Sequence, residues 1–171
     1  MHSQLPQVAL LATLMGLSAP VMASGDLILK FHHMVGVDGA YLGAANPIRG
    51  VNGGGLPWVL ESAKGKLEED GELEVRVKGL IIPESAGRGF NPAPFFRALV
   101  SCLSVDAGGA PTRVNLLTDN GAEVMIGDPL RGDARIEADL ELPEPCVAPL
   151  IFVTSPTGAW FAVTGAGSLA P

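Results

Sequence analysis

Apolar and polar side chains alternate strictly along residues 135–142, which is the pattern of a β-strand with one buried and one solvated face. Successive side chains of a strand point to opposite faces, so the apolar set is expected in a core and the charged set in solvent. The inward set is Ile136, Ala138, Leu140 and Leu142, and the outward set is Arg135, Glu137, Asp139 and Glu141.

The segment Glu69-Asp70-Gly71 predicts a hairpin, because alternating stretches flank a short turn that ends in glycine. Gly71 suits the left-handed position of a three-residue turn. A register one residue tighter would lose the two-faced pattern. The expected pairs are Leu67 with Leu73, Gly65 with Val75, Ala63 with Val77, and the favourable charged pair Lys66 with Glu74.

Two further segments have clear strand signals. The stretch Phe95–Val105 is apolar on both faces, as expected of a strand buried between layers, and a short helix is the competing interpretation. Residues 119–121 read Asp-Asn-Gly, which predicts a second hairpin between residues 112–118 and 122–126.

The ends of the mature chain complete the set of predicted strands. A first strand is expected over residues 26–35, and Val147–Thr154 is expected to pair with residues 159–164 across a type I turn at residues 155–158. Residues 36–57 form a long glycine-rich loop without clear periodicity, and residues 87–94 form a second irregular segment.

The fold class follows from the number of short strands and the lack of helical spacers. The 22 Gly and 14 Pro among 171 residues disfavour long helices. The sequence therefore predicts an all-β fold, an antiparallel β-sandwich of about eight or nine strands, formed by one domain over residues 24–171.

The N-terminal segment predicts export. Residues 8–22 are apolar, and no charged side chain precedes Asp26. This run is shorter than the roughly 20 residues of a membrane-spanning helix, and it resembles the core of a secretory signal with cleavage after Ala23. A buried N-terminal helix is the alternative, which Pro6, Gly16 and Pro20 disfavour. Residues 1–23 are therefore predicted to be a signal peptide, and the protein to be secreted, periplasmic or at the cell surface.

The two cysteines, Cys102 and Cys146, are expected to form one disulfide in an exported protein. Two separate buried thiols are the alternative. The net charge of −7 argues against nucleic acid as a partner, because such proteins carry a clustered basic face. The sequence predicts no membrane span and no cofactor.

Two groups of titratable residues were considered as sites. His32 and His33 are adjacent, so a strand would direct them to opposite faces, one toward the core and one toward solvent, and they are only weak candidates for one metal. Glu137, Asp139 and Glu141 lie about 6.5–7 Å apart along one strand face. That separation is within the range of glycosidase carboxylates, although an ordinary solvated face has the same pattern.

Aromatic side chains in or beside irregular segments form a candidate ligand platform. Such rings stack on sugars or anchor proteins, whereas the alternative role is to fill the core. The candidates are Tyr41, Trp58, Phe90 and Trp160.

Several segments of the mature chain carry a family resemblance. They are Asn46-Pro47-Ile48-Arg49-Gly50, Gly54-Gly55-Leu56-Pro57-Trp58, Gly132-Asp133-Ala134-Arg135-Ile136, Leu142-Pro143-Glu144-Pro145-Cys146-Val147-Ala148-Pro149, Phe152-Val153-Thr154-Ser155-Pro156 and Trp160-Phe161-Ala162. These segments resemble uncharacterised secreted bacterial β-sandwich proteins, which implies export and a disulfide but no activity. The hairpin segment Val77-Lys78-Gly79-Leu80 also resembles the CHRD β-domain, without the His-x-His that usually follows.

These observations lead us to expect an exported, non-enzymatic binding or structural module for an extracellular ligand or protein. The alternative is a small secreted enzyme or metal-dependent protein that uses His32 and His33 or the Glu137, Asp139 and Glu141 strand. Self-association is a further expectation, in which Val147–Thr154 is an apolar edge strand interrupted by Pro149.

Overall fold

The computed structural model of the chain describes residues 25–119, 121–123 and 129–165. The segments with alternating side chains form strands of two stacked antiparallel sheets. The described residues contain ten strands, no α-helix, and short 3-10 turns at Gly39–Tyr41, Glu84–Ala86 and Pro129–Arg131. The strands are β1 (Leu27–Phe31), β2 (Val35–Gly36), β3 (Ser62–Glu68), β4 (Glu72–Lys78), β5 (Phe95–Val105), β6 (Pro111–Leu117), β7 (Ala122–Glu123), β8 (Ala134–Asp139), β9 (Val147–Thr154) and β10 (Trp160–Val163).

The smaller sheet has the strand order β1-β3-β4-β8, and the larger sheet has the order β2-β10-β9-β5-β6, with β7 also paired to β5. The predicted all-β, antiparallel sandwich is confirmed. The described residues contain ten strands rather than eight or nine because the predicted first strand is broken after Phe31 and resumes as β2 in the other sheet.

The β3–β4 hairpin has the predicted register, with Leu67 opposite Leu73 and Ala63 opposite Val77. Gly71 has a φ of 93°, the left-handed conformation that the turn requires. Lys66 lies opposite Glu74 as expected, but its Nζ pairs instead with Glu68 at 2.6 Å and with Glu72 at 2.7 Å. The register prediction is confirmed, including the cross-strand pair of Lys66 with Glu74.

The predicted hairpin between residues 112–118 and 122–126 is wrong. Strands β6 and β7 are both antiparallel to β5, so they run in the same direction and cannot pair with each other. Leu99 of β5 lies opposite Leu117, and Phe96 lies opposite Ala122. The pairing along β5 is therefore irregular between these two positions. The remainder of the predicted second arm, residues 124–126, lies outside the described residues.

Strand β5 spans the predicted residues, and the helical alternative is wrong. Its apolar character on both faces has two causes. One face enters the core between the sheets, where Phe96, Ala98 and Val100 are fully buried. The opposite face carries Leu99, which lies beside Val51 of the long loop and is 7% exposed.

The long glycine-rich loop extends the larger sheet. The N–H of Trp160 donates to the carbonyl of Asn52, and the N–H of Gly54 donates to the carbonyl of Trp160. The loop therefore adds a parallel bridge at Gly53 to the edge of β10, next to β2. A side chain at Gly53 would meet the carbonyl oxygen of Tyr41 at 2.1 Å, so this close approach requires glycine.

Strand β9 is not the edge strand that was expected. It lies between β5 and β10, so the residues that were predicted to join a neighbouring molecule already pair on both sides from Ile151 onward. The predicted Val147–Thr154 strand and its turn to β10 are confirmed, because Ser155 and Ala159 close that turn with a hydrogen bond.

The disulfide between Cys102 and Cys146 is confirmed. It joins β5 to the residue that immediately precedes β9, beside the irregularity in their pairing between Ser101 and Leu103. The closed loop spans a sequence separation of 44 residues, for which chain-entropy arithmetic gives about 4 kcal/mol of stabilisation.

Candidate functional site

The outer face of the smaller sheet is densely charged, and we call it the charged face. The alternation that buries Leu67, Val75 and Ile136 directs the intervening side chains of the same strands outward. All four lysines of the chain and two of its arginines are on this face. Its charged residues are Lys30, Lys64, Lys66, Glu68, Glu72, Glu74, Arg76, Lys78, Arg135, Glu137 and Asp139.

Cross-strand register places three cations side by side. Lys64 of β3 lies opposite Arg76 of β4, which lies opposite Arg135 of β8. We call Lys64, Arg76 and Arg135 the cation row. Like charges directly opposite one another destabilise a sheet, so this row is a local conflict in a chain whose net charge is −7.

Glu74 partly compensates the cation row. The Nε of Arg76 donates to Oε1 of Glu74 at 2.6 Å, and Nη2 of Arg135 lies 3.5 Å from the same oxygen. The hydrogen bond from Arg76 is the main reason why the pKa of Glu74 lies below its ordinary value, and the charge of Arg135 adds to it. Arg135 also pairs with Glu137.

The two lysines of β3 differ in their surroundings. Lys66 is held by Glu68 and Glu72, whose hydrogen bonds raise the pKa of its ammonium group well above the ordinary value. Lys64 forms no ion pair with any residue that the structure describes, and its side chain is exposed. Lys64 is therefore the unpaired end of the cation row.

Two adjoining grooves follow this end of the charged face, with volumes of about 480 and 690 Å³. They share His32, Lys64 and Arg76. Their lining combines six Lys and Arg side chains with three acidic ones, the reverse of the balance of the whole chain. The acids are Glu74, Glu123 and Asp133, and the carboxylate of Asp133 accepts the N–H of Gly79.

His32 and His33 lie in the break between β1 and β2, not on a strand. Both side chains are exposed, and Met34 occupies the core position that one histidine was expected to take, so the expectation of one core-facing imidazole is wrong. His32 borders the cationic grooves, and His33 borders a separate groove of about 340 Å³. No group of three or more His, Cys, Asp or Glu side chains in the described ranges could hold a metal ion.

The predicted acidic strand is only partly realised. Glu137 and Asp139 point outward from β8, but the strand ends at Asp139, so Glu141 lies beyond it. Glu137 lies opposite Glu74 and is paired with Arg135, and Asp139 lies opposite Glu72. These carboxylates belong to a face that they share with cations.

The four aromatic candidates do not form one exposed platform. Trp58 and Trp160 are 4% and 2% exposed, so they serve the alternative role of core filling. Tyr41 is 48% exposed, with its ring centroid 6.4 Å from that of Trp160. Phe90 is half-buried, and the guanidinium of Arg88 lies 5.6 Å from its ring centroid.

The aromatic rings instead form two clusters. Trp58 stacks on Phe161 at 3.8 Å between centroids, and Phe96 meets both rings edge-on. Trp160 packs against Phe152 and Tyr41. The aromatic residues near irregular segments of the sequence therefore mainly indicate core packing. The cation row could have been predicted only by pairing β8 with the predicted hairpin.

No family model matches the chain, and neither the curated proteins nor the solved structures include a significant match. Within residues 25–119, 121–123 and 129–165, no helix is long and apolar enough to cross a membrane.

Proposed function

We propose that the chain is an exported, non-enzymatic binding module whose contact surface is the charged face. The observation that carries this proposal is the concentration of cations there: six of the eleven Lys and Arg residues belong to one face of one sheet. A surface rich in cations on an otherwise acidic protein attracts an anionic ligand.

The disulfide and the predicted signal peptide support export, and the arrangement of charges supports binding. Among the charged groups that line the grooves, Glu74 pairs with Arg76 and Arg135. The exposed side chains of Lys64, Arg76 and Lys78 face solvent across an open sheet surface. Such a surface exchanges these internal ion pairs for pairs with a ligand.

Retention on the cell envelope tests the proposal. The mature chain is incubated with the insoluble envelope fraction of the cells that export it, and the retained amount is measured at low and at physiological salt. We expect retention of the wild type and loss of retention in the double variant Lys64→Glu, Arg76→Glu. The matched control is Arg88→Glu, Arg113→Glu, which changes net charge equally but lies off the charged face.

Circular dichroism spectra of both double variants are compared with that of the wild type to check that they are folded. The proposal fails if the wild type is not retained, or if both double variants lose retention to the same extent. The enzymatic or metal-dependent alternative remains a prediction about His32 and His33 or about the strand with Glu137, Asp139 and Glu141. Metal analysis of the native protein, with His32→Ala and His33→Ala as variants, tests it separately.

A further inference from the structure

We infer that the ligand of the charged face is a linear anionic polysaccharide that crosses the strands along the cation row. This inference rests on the proposed function and names the ligand class of the same surface. It follows from the spacing of Lys64, Arg76 and Arg135, from the position of the acidic side chains, and from the chemistry of the groove lining.

The cation row has the repeat of a chain that carries one charge per unit. Neighbouring strands lie about 4.8 Å apart, so the row places three cations on backbone positions that span about 10 Å. The interval of about 4.8 Å between neighbouring positions of the row is close to the length of one pyranose ring. A polymer with a carboxylate on each sugar therefore meets a cation at each of about three consecutive units.

The acidic side chains determine the direction of the polymer. Along the strands, the row next to Arg76 and Arg135 contains Glu74 and Glu137, and the row after it contains Glu72 and Asp139. A polyanion that followed β4 or β8 toward these rows would pass from cations to carboxylates. One that followed β3 would reach Lys66, which Glu68 and Glu72 already hold. A polyanion that crosses the strands along the cation row stays among cations.

The groove lining favours a polysaccharide over a peptide or a nucleic acid. Apart from the exposed imidazole of His32, Phe31 is the one aromatic among the described residues that line the two grooves, and it is buried, so no exposed Phe, Tyr or Trp ring is offered for stacking bases. Nine of the side chains that line the grooves are charged, and Leu27 is the one exposed large apolar side chain among these described residues, so an apolar peptide side chain would find a single anchor point. Binding is therefore mainly electrostatic and is weakened by salt.

Glu74 competes with the ligand, which gives the inference a distinctive consequence. Its carboxylate occupies the guanidinium groups of Arg76 and Arg135, the same groups that a uronate would engage. Glu74→Gln removes this competing charge with almost no change in shape. We therefore expect this variant to bind more tightly than the wild type.

Isothermal titration with oligogalacturonates of defined length is the test. We expect affinity to rise with length up to roughly three or four units and then to level off, and to fall as salt increases. Lys64→Gln should weaken binding about three- to tenfold, and Glu74→Gln should strengthen it by a similar factor. The controls Arg113→Gln and Glu84→Gln change the same charges elsewhere and should stay within about twofold.

Several results would overturn the inference. They are an absence of binding at low salt, an affinity that does not change with oligomer length, weaker binding by Glu74→Gln, or an equal loss of affinity in Lys64→Gln and the Arg113→Gln control. An oligoglutamate or single-stranded DNA of equal charge that binds more tightly would assign the face to a peptide or a nucleic acid. If envelope retention depends on the charged face while oligogalacturonates do not bind, only the ligand class is wrong.

Discussion

Arg49 joins Ser101 of β5 to the start of β9 through one guanidinium group. Its Nη1 donates to the carbonyl oxygen of Ser101 and its Nη2 to that of Ala148, both at 2.7 Å. These bonds lie beside the Cys102–Cys146 bridge, where the pairing of β5 and β9 is irregular. Partial burial and the neighbouring charge of Arg113 lower the pKa of Arg49. The long loop is thereby fastened to the larger sheet.

We predict that Arg49→Lys lowers the free energy of unfolding by about 1–3 kcal/mol. A single ammonium group lacks the planar fork that reaches both carbonyls, so at least one of these charge-assisted bonds is lost. Urea denaturation measures the change. Arg113→Lys is the matched control, because no side-chain hydrogen bond of Arg113 is seen among the described residues, and it should differ from wild type by less than about 0.5 kcal/mol. Equal stability of both variants would show that the two hydrogen bonds of the Arg49 side chain contribute nothing to the free energy of unfolding.

Gly71→Ala should destabilise the protein by about 2 kcal/mol or more. The residue has a φ of 93°, and a Cβ there would lie 1.8 Å from the carbonyl oxygen of Leu140. Thermal unfolding gives the comparison with Gly55→Ala, where a Cβ meets no atom within 4 Å and φ is not in the left-handed region. Gly55→Ala is expected to be neutral or slightly stabilising. A neutral Gly71→Ala would contradict the turn geometry described for this hairpin.

Acid should weaken the wild type more than the variant Asp70→Asn. The carboxylate of Asp70 accepts the N–H groups of Glu72 and Gly25, and these bonds lower its pKa in the folded state. Because the folded pKa lies below the unfolded one, this contribution is present above about pH 4 and is lost as pH falls through the folded pKa. Urea midpoints measured from about pH 6 to about pH 2 should therefore converge for the two proteins at low pH. Curves that stay parallel over this range would refute the effect, and Glu84→Gln controls for the loss of one acid.

The exported protein should have the mass of a chain that begins at Ser24, and this mass should increase by two hydrogen atoms on reduction. Cleavage after Ala23 and the Cys102–Cys146 bridge produce this result, which intact mass spectrometry measures on protein taken from its host. The variant Cys102→Ala, Cys146→Ala should lose up to about 4 kcal/mol of stability. The mass of the full-length chain, with residues 1–23 still present, would contradict export. The disulfide would then be tested only by the change of mass on reduction.

Local patterns predicted the elements whose pairing is local. The β3–β4 register followed from the alternation of side chains and from Gly71, since a hairpin fixes both partners within one short segment. The prediction at residues 119–121 was wrong for a related reason, because long-range pairing with β5 determines the direction of both flanking strands. Thr118 is buried and its side chain accepts the N–H of Ala98, so the chain stays on β5 through the irregularity.

The candidate site was harder to predict because it is formed by strands that are distant in sequence. The predicted hairpin already implied Lys64 opposite Arg76, but Arg135 joins them only when β8 pairs with β4. Conversely, aromatic residues near loops resembled a ligand platform, although Trp58 is buried and stacks on Phe161. Composition alone does not distinguish a ring that faces solvent from one that closes a core.

The separation of the two tryptophans into different aromatic clusters gives the molecule a pair of internal optical reporters. Trp58 stacks between the sheets, whereas Trp160 lies where the long loop meets β10. In Trp58→Phe, the remaining indole fluorescence follows the attachment of the loop. In Trp160→Phe, it follows the integrity of the sandwich core. Detachment of the loop and global unfolding can thus be timed independently in one chain, without an added dye.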